Sequence, residues 1–467
     1  MKPFRLLTIA AFAAAIVPRL AHKGMFVDGV TYAAIARNLA IGRGSFWAPA
    51  YTATIYPEFH DHPPFGFWLQ SLWFRLLGDH LFVERAYTVT VAVLTALLIT
   101  VVWRRLTRES STFKYEWLPV LLWLVMPVVS WSIVGNLLDT TMCFFTTAAV
   151  AAVVYAELAS SAAASGFWGA LSGVCVVAAV LTKGPVGFFP LAAPVILAPL
   201  TSSWGRRTTG LAGQWLTVGA CAAALFGSGT ARANLELYLH LQVLAALTGR
   251  REMSGSSLTI LKELVQGVAL PIAILSGLCL AIARRFVRPS REHAVWATSL
   301  LLVALAGTLP ILASTKQAGH YLVPALPLYA IAAAGLLAST VAVAVERTRA
   351  SAIGGLSALL VVVTLVAAFS PGVGRDRRRM ATLDAIDGAI PRGATLGICP
   401  ESNGDWGLHA WFERRFDVSL DARGGQQREW FLQAAGNPSQ CVPPTCQPVT
   451  DRTRELIVLK CGRPETR

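Results

Sequence analysis

Long apolar runs separated by short polar breaks dominate this chain. A helix that crosses a bilayer needs about 20 mostly apolar residues. On that measure, runs near 4–21, 82–103, 117–135, 140–158, 167–182, 185–200, 211–229, 264–283, 294–313, 320–341 and 353–370 predict eleven spans. Counted from a cytoplasmic N-terminus, the even-numbered breaks are basic. They carry Arg104, Arg105, Arg108 and Lys114, then Arg206 and Arg207, then Arg284, Arg285, Arg288 and Arg291, then Arg347 and Arg349. Among them only 159–166 has no basic residue. This is the bias expected of cytoplasmic loops, and an odd number of spans puts 371–467 outside.

One run falls short of a span. Phe65, Trp68, Leu69, Leu72, Trp73 and Leu76 follow the spacing of an amphipathic helix, between Pro63-Pro64 and Gly78-Asp79. At about 14 residues it predicts a helix lying along the membrane interface. Reading it as a span would move every later arginine-rich loop outside. Two more interfacial helices are expected, at 29–41 and within 234–247. The N-terminal run has the look of a signal peptide, but further apolar spans follow, so it reads as an uncleaved first helix.

The last hundred residues change character. After the basic run Arg375–Arg379 come an amphipathic stretch at 381–390, strand-like 395–399, a helical pattern at 406–416 and strand-like 455–461. The expected fold class is therefore an all-α polytopic membrane protein with a small α/β domain at its C-terminus. The domains are 1–370, including a first outer loop at 22–81, and the extracytoplasmic 371–467.

Composition agrees. Of 467 residues, 54% are hydrophobic and 14% charged, against about a quarter charged in soluble domains. The net charge of +14 fits cytoplasmic loops and anionic lipid. Nothing interleaves arginines with aromatics on a soluble module, so no nucleic acid is expected as a partner. Of eight cysteines, Cys399, Cys441, Cys446 and Cys461 lie in the tail, where an oxidising compartment predicts disulfides. Of the three pairings, Cys441–Cys446 with Cys399–Cys461 is the one expected.

The chemistry collects on the outer side. Asp28 follows the first span; Glu58, His60, Asp61 and His62 close the first loop. Asp139 opens the fourth span, and Lys183 sits in the turn after the fifth. His240, Arg250 and Arg251 occupy the loop 230–262, and Lys316 and His320 begin the tenth span. Polar residues gather in loops as a matter of course. The turns holding Asp139 and Lys183, however, are too short to be merely solvated loops, and lone charges at such depth need partners. Glu58, His60 and His62 offer alternate positions on one face of an extended strand, a weak set for a divalent metal. Substrate hydrogen bonding or loop anchoring is the preferred role, and no cofactor is required.

Several of these residues fall in motifs. Asp28-Gly29-Val30-Thr31-Tyr32 through Arg37-Asn38, Phe59-His60-Asp61-His62-Pro63-Pro64, Leu77-Gly78 and Glu84-Arg85 resemble the first outer loop of GT-C glycosyltransferases. The bacterial protein O-mannosyltransferase-like enzymes and the aminoarabinose transferases of lipid A are the most similar types. Leu138-Asp139, Leu181-Thr182-Lys183-Gly184-Pro185 and Lys316 through His320-Tyr321-Leu322-Val323-Pro324 are similar to further signatures of that superfamily. The chain differs in having Gly29 where an acidic residue often follows, and Asp61-His62-Pro63 where the aminoarabinose enzymes have acid-Lys-Pro.

The resemblance implies an inverting hexosyl- or pentosyltransferase of the cell envelope, in the plasma membrane. Its partners would be a polyprenyl-phosphate-linked sugar, membrane lipid and a protein, lipid or glycan acceptor. Lys183, Lys316 and Arg250 are expected at the donor phosphate, whose second pKa of about 6 lets cations stabilise it as a leaving group. Asp28 is expected as the base toward the acceptor hydroxyl. Asp139 would assist, by bonding the acceptor or by holding a lysine. His240, His320 and Tyr321 are expected to bind substrate or anchor loops. A transporter or flippase of a lipid-linked saccharide is the rival reading. It calls for midplane charge or an inverted repeat, neither of which the sequence displays.

Overall fold

The computed structural model describes residues 2–200, 203–248, 258–370, 374–423, 428–434, 439–450 and 455–462. Among these, nine unbroken helical stretches are long and apolar enough to cross a membrane: Lys2–Leu20, Val83–Leu106, Leu138–Glu157, Ala162–Lys183, Trp204–Gly227, Thr259–Ala283, Arg291–Ala313, Gly319–Arg347 and Ala350–Phe369. The expected span at 117–135 is a bent pair instead. Ser111–Leu124 and Pro127–Val134 meet at 76°, because Pro127 has no N–H to continue the first helix. The expected span at 185–200 is a short apolar stretch, Pro185–Leu200. Pro185, Pro190, Pro194 and Pro199 each withhold a backbone donor there. The chain answers with 3₁₀ turns over Pro185–Ala192 and Ala198–Leu200 around one α-turn, Ala193–Ile196.

The chain divides into two compact units. The first comprises Met1–Pro18, Asp61–Gly66 and Thr88–Ser370. Small residues let its helices approach: a Cβ on Gly169 would collide with the backbone of Gly210, and one on Gly213 would meet Gly166 O at 2.5 Å. Such contacts replace the hydrophobic effect where lipid is the solvent. A buried polar chain adds to them. Gln214 Nε2 donates to Ser172 Oγ at 2.8 Å, and Ser172 Oγ donates to Ala149 O at 2.9 Å, joining three helices.

The second unit comprises Arg19–His60, Phe67–Tyr87 and Pro371–Arg467, so the first loop folds with the tail. Its sheet has strands β1 (Thr395–Ile398), β2 (Ser419–Asp421), β3 (Trp430–Ala434), β4 (Cys446–Pro448) and β5 (Leu456–Cys461), in the order β2-β1-β3-β5-β4. The first three lie parallel, and β5 runs antiparallel to β3 and β4. Helices Arg377–Ile386 and Trp406–Phe416 share one apolar core with it. Met25 and Val30 of the first loop lie in that core beside Leu383, Phe412 and Leu432. Residues 29–30 and 32–39 of the Val27–Ala40 helix are buried.

All four tail cysteines are bonded, but not in the expected pairs. Cys399 joins Cys441 and Cys446 joins Cys461. The register explains the correction: Cys446 on β4 lies directly opposite Cys461 on β5, and cross-strand neighbours are within bonding reach.

Candidate functional site

In the first unit, Asp139 occupies the first turn of the Leu138–Glu157 helix and Lys183 ends the Ala162–Lys183 helix. Each suits its place, a carboxylate at a positive helix end and an ammonium at a negative one. The two form a salt bridge with side chains only 2% and 10% exposed. Lys183 Nζ also lies 5.3 Å from the centre of the Tyr321 ring, and Tyr238 Oη donates to Lys183 O at 3.2 Å. Gly184 permits that last contact. Its φ is +104°, and a Cβ there would occupy the space of the Tyr238 hydroxyl.

This pair lies at a cavity of about 490 Å³. Lys316, His62, Tyr238 and Tyr321 line the same cavity, and Met142, Phe188, Phe189, Pro310 and Ile311 supply apolar wall. Lys316 sits on a turn tied down by Ser314, whose Oγ accepts from Lys316 N at 3.2 Å and donates to its carbonyl at 3.1 Å. Thr315 Oγ1 donates to Ala246 O at 2.7 Å, fixing the turn to the 239–247 segment. That segment meets the first loop's end as well, where Gln242 Nε2 donates to Asp61 at 2.5 Å.

Five expected residues, Asp139, Lys183, Lys316, His62 and Tyr321, therefore line one cavity. Asp61 is tied to Gln242. His320 is not in the lining; it packs against Trp131 and Tyr321, with ring centres 5.6 and 4.6 Å away. His240 is exposed on the π-helical turn Leu239–Leu244. Arg250 and Arg251 lie outside the described residues.

Asp28, Glu58 and His60 belong to the second unit. Asp28 is half-buried in the first turn of Val27–Ala40. Glu58 Oε2 lies 3.4 Å from His60 Nε2, while His62 is part of the other unit. Among the described residues, the trio of His, Cys, Asp or Glu close enough to share an ion is Cys399, Glu401 and Cys441. Two of the three are spent on a disulfide, so the trio is no metal centre.

Sequence reasoning missed Tyr238 and Gln242, and nothing in their neighbourhood marks them. It also missed Arg37 and Glu413, both buried and paired at 3.1 Å. Arg37 left a signal, since it interrupts the apolar helix 27–40. Burial pushes the Glu413 carboxyl above its ordinary range, against hydrogen bonds from Asn38 and Ser419 and the charge of Arg37.

Residues 61–228 match the family model for dolichyl-phosphate-mannose-protein mannosyltransferase. No curated protein sequence matches the chain. Among solved structures, ArnT from Cupriavidus metallidurans bound to undecaprenyl phosphate superposes with a TM-score of 0.67 at 16% identity, covering 97% of each chain. The same protein in the apo state gives 0.62 at 16% identity, over 97% of this chain and 95% of that one. The archaeal oligosaccharyltransferase AglB from Archaeoglobus fulgidus, in complex with an inhibitory peptide and a dolichol-phosphate, gives 0.51 at 12% identity, over 93% of this chain and 69% of that one. The fold is that of the GT-C glycosyltransferases, as the motifs led us to expect.

Proposed function

We propose that this protein is a glycosyltransferase that moves a sugar from a polyprenyl-phosphate donor to an envelope acceptor, inverting the anomeric centre, on the outer face of the plasma membrane. The observation that carries this reading is the cavity where Lys183 and Lys316 meet apolar walls. A phosphate on a hydrocarbon chain needs both surfaces. The cations hold its charge, in a site dry enough for that charge to matter, and the walls take the prenyl units.

The reaction follows from those roles. The acceptor oxygen attacks the anomeric carbon from the face opposite the phosphate, the bond from that carbon to the phosphate oxygen breaks, and the electron pair leaves with the polyprenyl phosphate. Lys183 and Lys316 stabilise the charge that develops there, and Asp139, paired with Lys183, holds it in place. Asp28 takes the proton of the acceptor hydroxyl. Its place in the first turn of a helix favours the carboxylate form.

The distribution of arginines supports the outer face. Arg105 donates to Leu158 O and Arg206 to Ala159 O, at the end of the Leu138–Glu157 helix remote from Asp139. Basic residues thus gather at the membrane end opposite the cavity, as they do on the cytoplasmic side.

Substituting Asp28→Asn tests the enzyme reading. It preserves size and removes basicity, and positioned base catalysis is worth 10²–10⁴-fold. Turnover should fall by at least about a hundredfold with near-normal donor binding. Full activity in this variant would make the carboxylate structural, and the acceptor a group that is already ionised.

A further inference from the structure

The helix that carries Asp28 buries Ala33, Ala34, Ile35 and Ala36 completely, and Val30, Tyr32 and Leu39 nearly so. Apolar burial favours the contact as a whole, while a single register is fixed by shape and by polar keys. The second unit supplies a polar key. Arg37, nine positions after Asp28, donates from Nη2 to the backbone O of Glu413 at 2.9 Å and to its carboxylate at 3.1 Å. Its Nη1 lies 2.8 Å from Asp417 Oδ1. Asn38 Nδ2 donates to the same Glu413 oxygen at 3.1 Å and to Tyr51 O at 2.8 Å. Ser419 Oγ holds the other carboxylate oxygen at 2.9 Å.

Both charges of this key are nearly inaccessible, at 3% and 2% side-chain exposure. Burying an ion pair costs desolvation that its attraction barely repays, so its best-attested use is to fix an arrangement. The next residue repeats the device. Arg414 meets Glu84 at 2.8 Å and Asp79 at 2.6 Å, anchoring the far end of the first loop to the same tail helix.

We propose that Arg37 and Glu413 are positioning residues for Asp28: the tail helix Trp406–Phe416 sets the rotation and register of the Val27–Ala40 helix, and through it the aim of the Asp28 carboxylate. The tail is then part of the catalytic apparatus without touching substrate. This inference rests on the role given to Asp28 above.

Glu413→Gln tests it, since it keeps the shape and an acceptor oxygen while removing the charge that fixes Arg37; Arg37→Met is the stronger variant. The product is followed by mass spectrometry as the glycan signal that depends on the gene, and lipid binding by titration of purified protein with undecaprenyl phosphate. Because small misplacements of reacting groups are costly, Glu413→Gln should slow product formation about tenfold. Undecaprenyl phosphate affinity should stay within about twofold. In an Asp28→Asn background the same substitution should cost nothing further, since a residue acting through Asp28 has no carboxylate left to aim. Unchanged product in Glu413→Gln overturns the proposal. So does an equal loss in both backgrounds, or a loss of lipid binding, either of which would mark a general structural effect. Should Arg37→Met fail to fold, Glu413→Gln decides alone. Asp28→Asn by itself reports on the base role, so the failure of that role and the failure of the key are read separately.

Discussion

At Lys183 the chain concentrates its most consequential contacts: a buried carboxylate partner, an aromatic face and a tyrosine on its carbonyl. Removing one partner of such a pair strands the other charge, which costs about 3–5 kcal/mol. Lys183→Met or Asp139→Leu should therefore lower the unfolding temperature markedly. The double variant should be less destabilised than the sum of the two, because neither charge is then left alone. Thermal unfolding of all three variants in one detergent measures this, and additive losses would show that the two charges are not coupled. Much at this scale was legible. Asp139 and Lys183 stood out because their turns are too short to solvate a charge, and a lysine partner for Asp139 was one of the roles expected. Tyr238 and Gln242 were not legible, since a hydroxyl or an amide in a polar loop carries no mark of the backbone or carboxylate it will meet.

Among the elements, apolar length was the reliable signal. It located the nine straight candidate spans among the described residues, and proline chemistry accounts for the two expected spans, 117–135 and 185–200, that are not straight helices. The bend before Pro127 and the 3₁₀ turns after Pro185 follow from missing backbone donors. Strands of three to five residues such as β2, β3 and β4 are too short for an alternation to be counted. The cysteine pairing failed for the same reason: without β4 in view, nothing placed Cys446 across from Cys461. Peptide mapping of unreduced protein should return Cys399–Cys441 and Cys446–Cys461, with none of the four sulfurs open to thiol labelling. Replacing Cys446 and Cys461 by alanine opens a loop with a sequence separation of 15, which should cost about 3 kcal/mol of tail stability on a chain-entropy estimate. A recovered Cys399–Cys461 peptide would contradict the register described here.

For the molecule as a whole, the arginine pattern predicts its placement in the membrane. Reporters fused after residues 110, 208 and 288 should read cytoplasmic, and those after 50, 245 and 400 external. A cytoplasmic reading at 245 would part Lys316 from the outer face and dissolve the site. The joint folding of residues 19–60 and 67–87 with the tail was not legible in the sequence. Its contacts, such as Arg37 to Glu413, join residues more than 300 positions apart, and neither residue has a local pattern that names the other. If a sugar leaves a polyprenyl phosphate at this cavity, the envelope's lipids and glycans must depend on Lys183. The most direct test is mass spectrometry of envelope lipids and glycans from cells with the gene, without it, and with the Lys183→Ala form. A glycosylated product should be present with the intact gene and absent from the other two, where a sugar-bearing polyprenyl phosphate accumulates instead. Identical lipid and glycan profiles in all three would contradict the account.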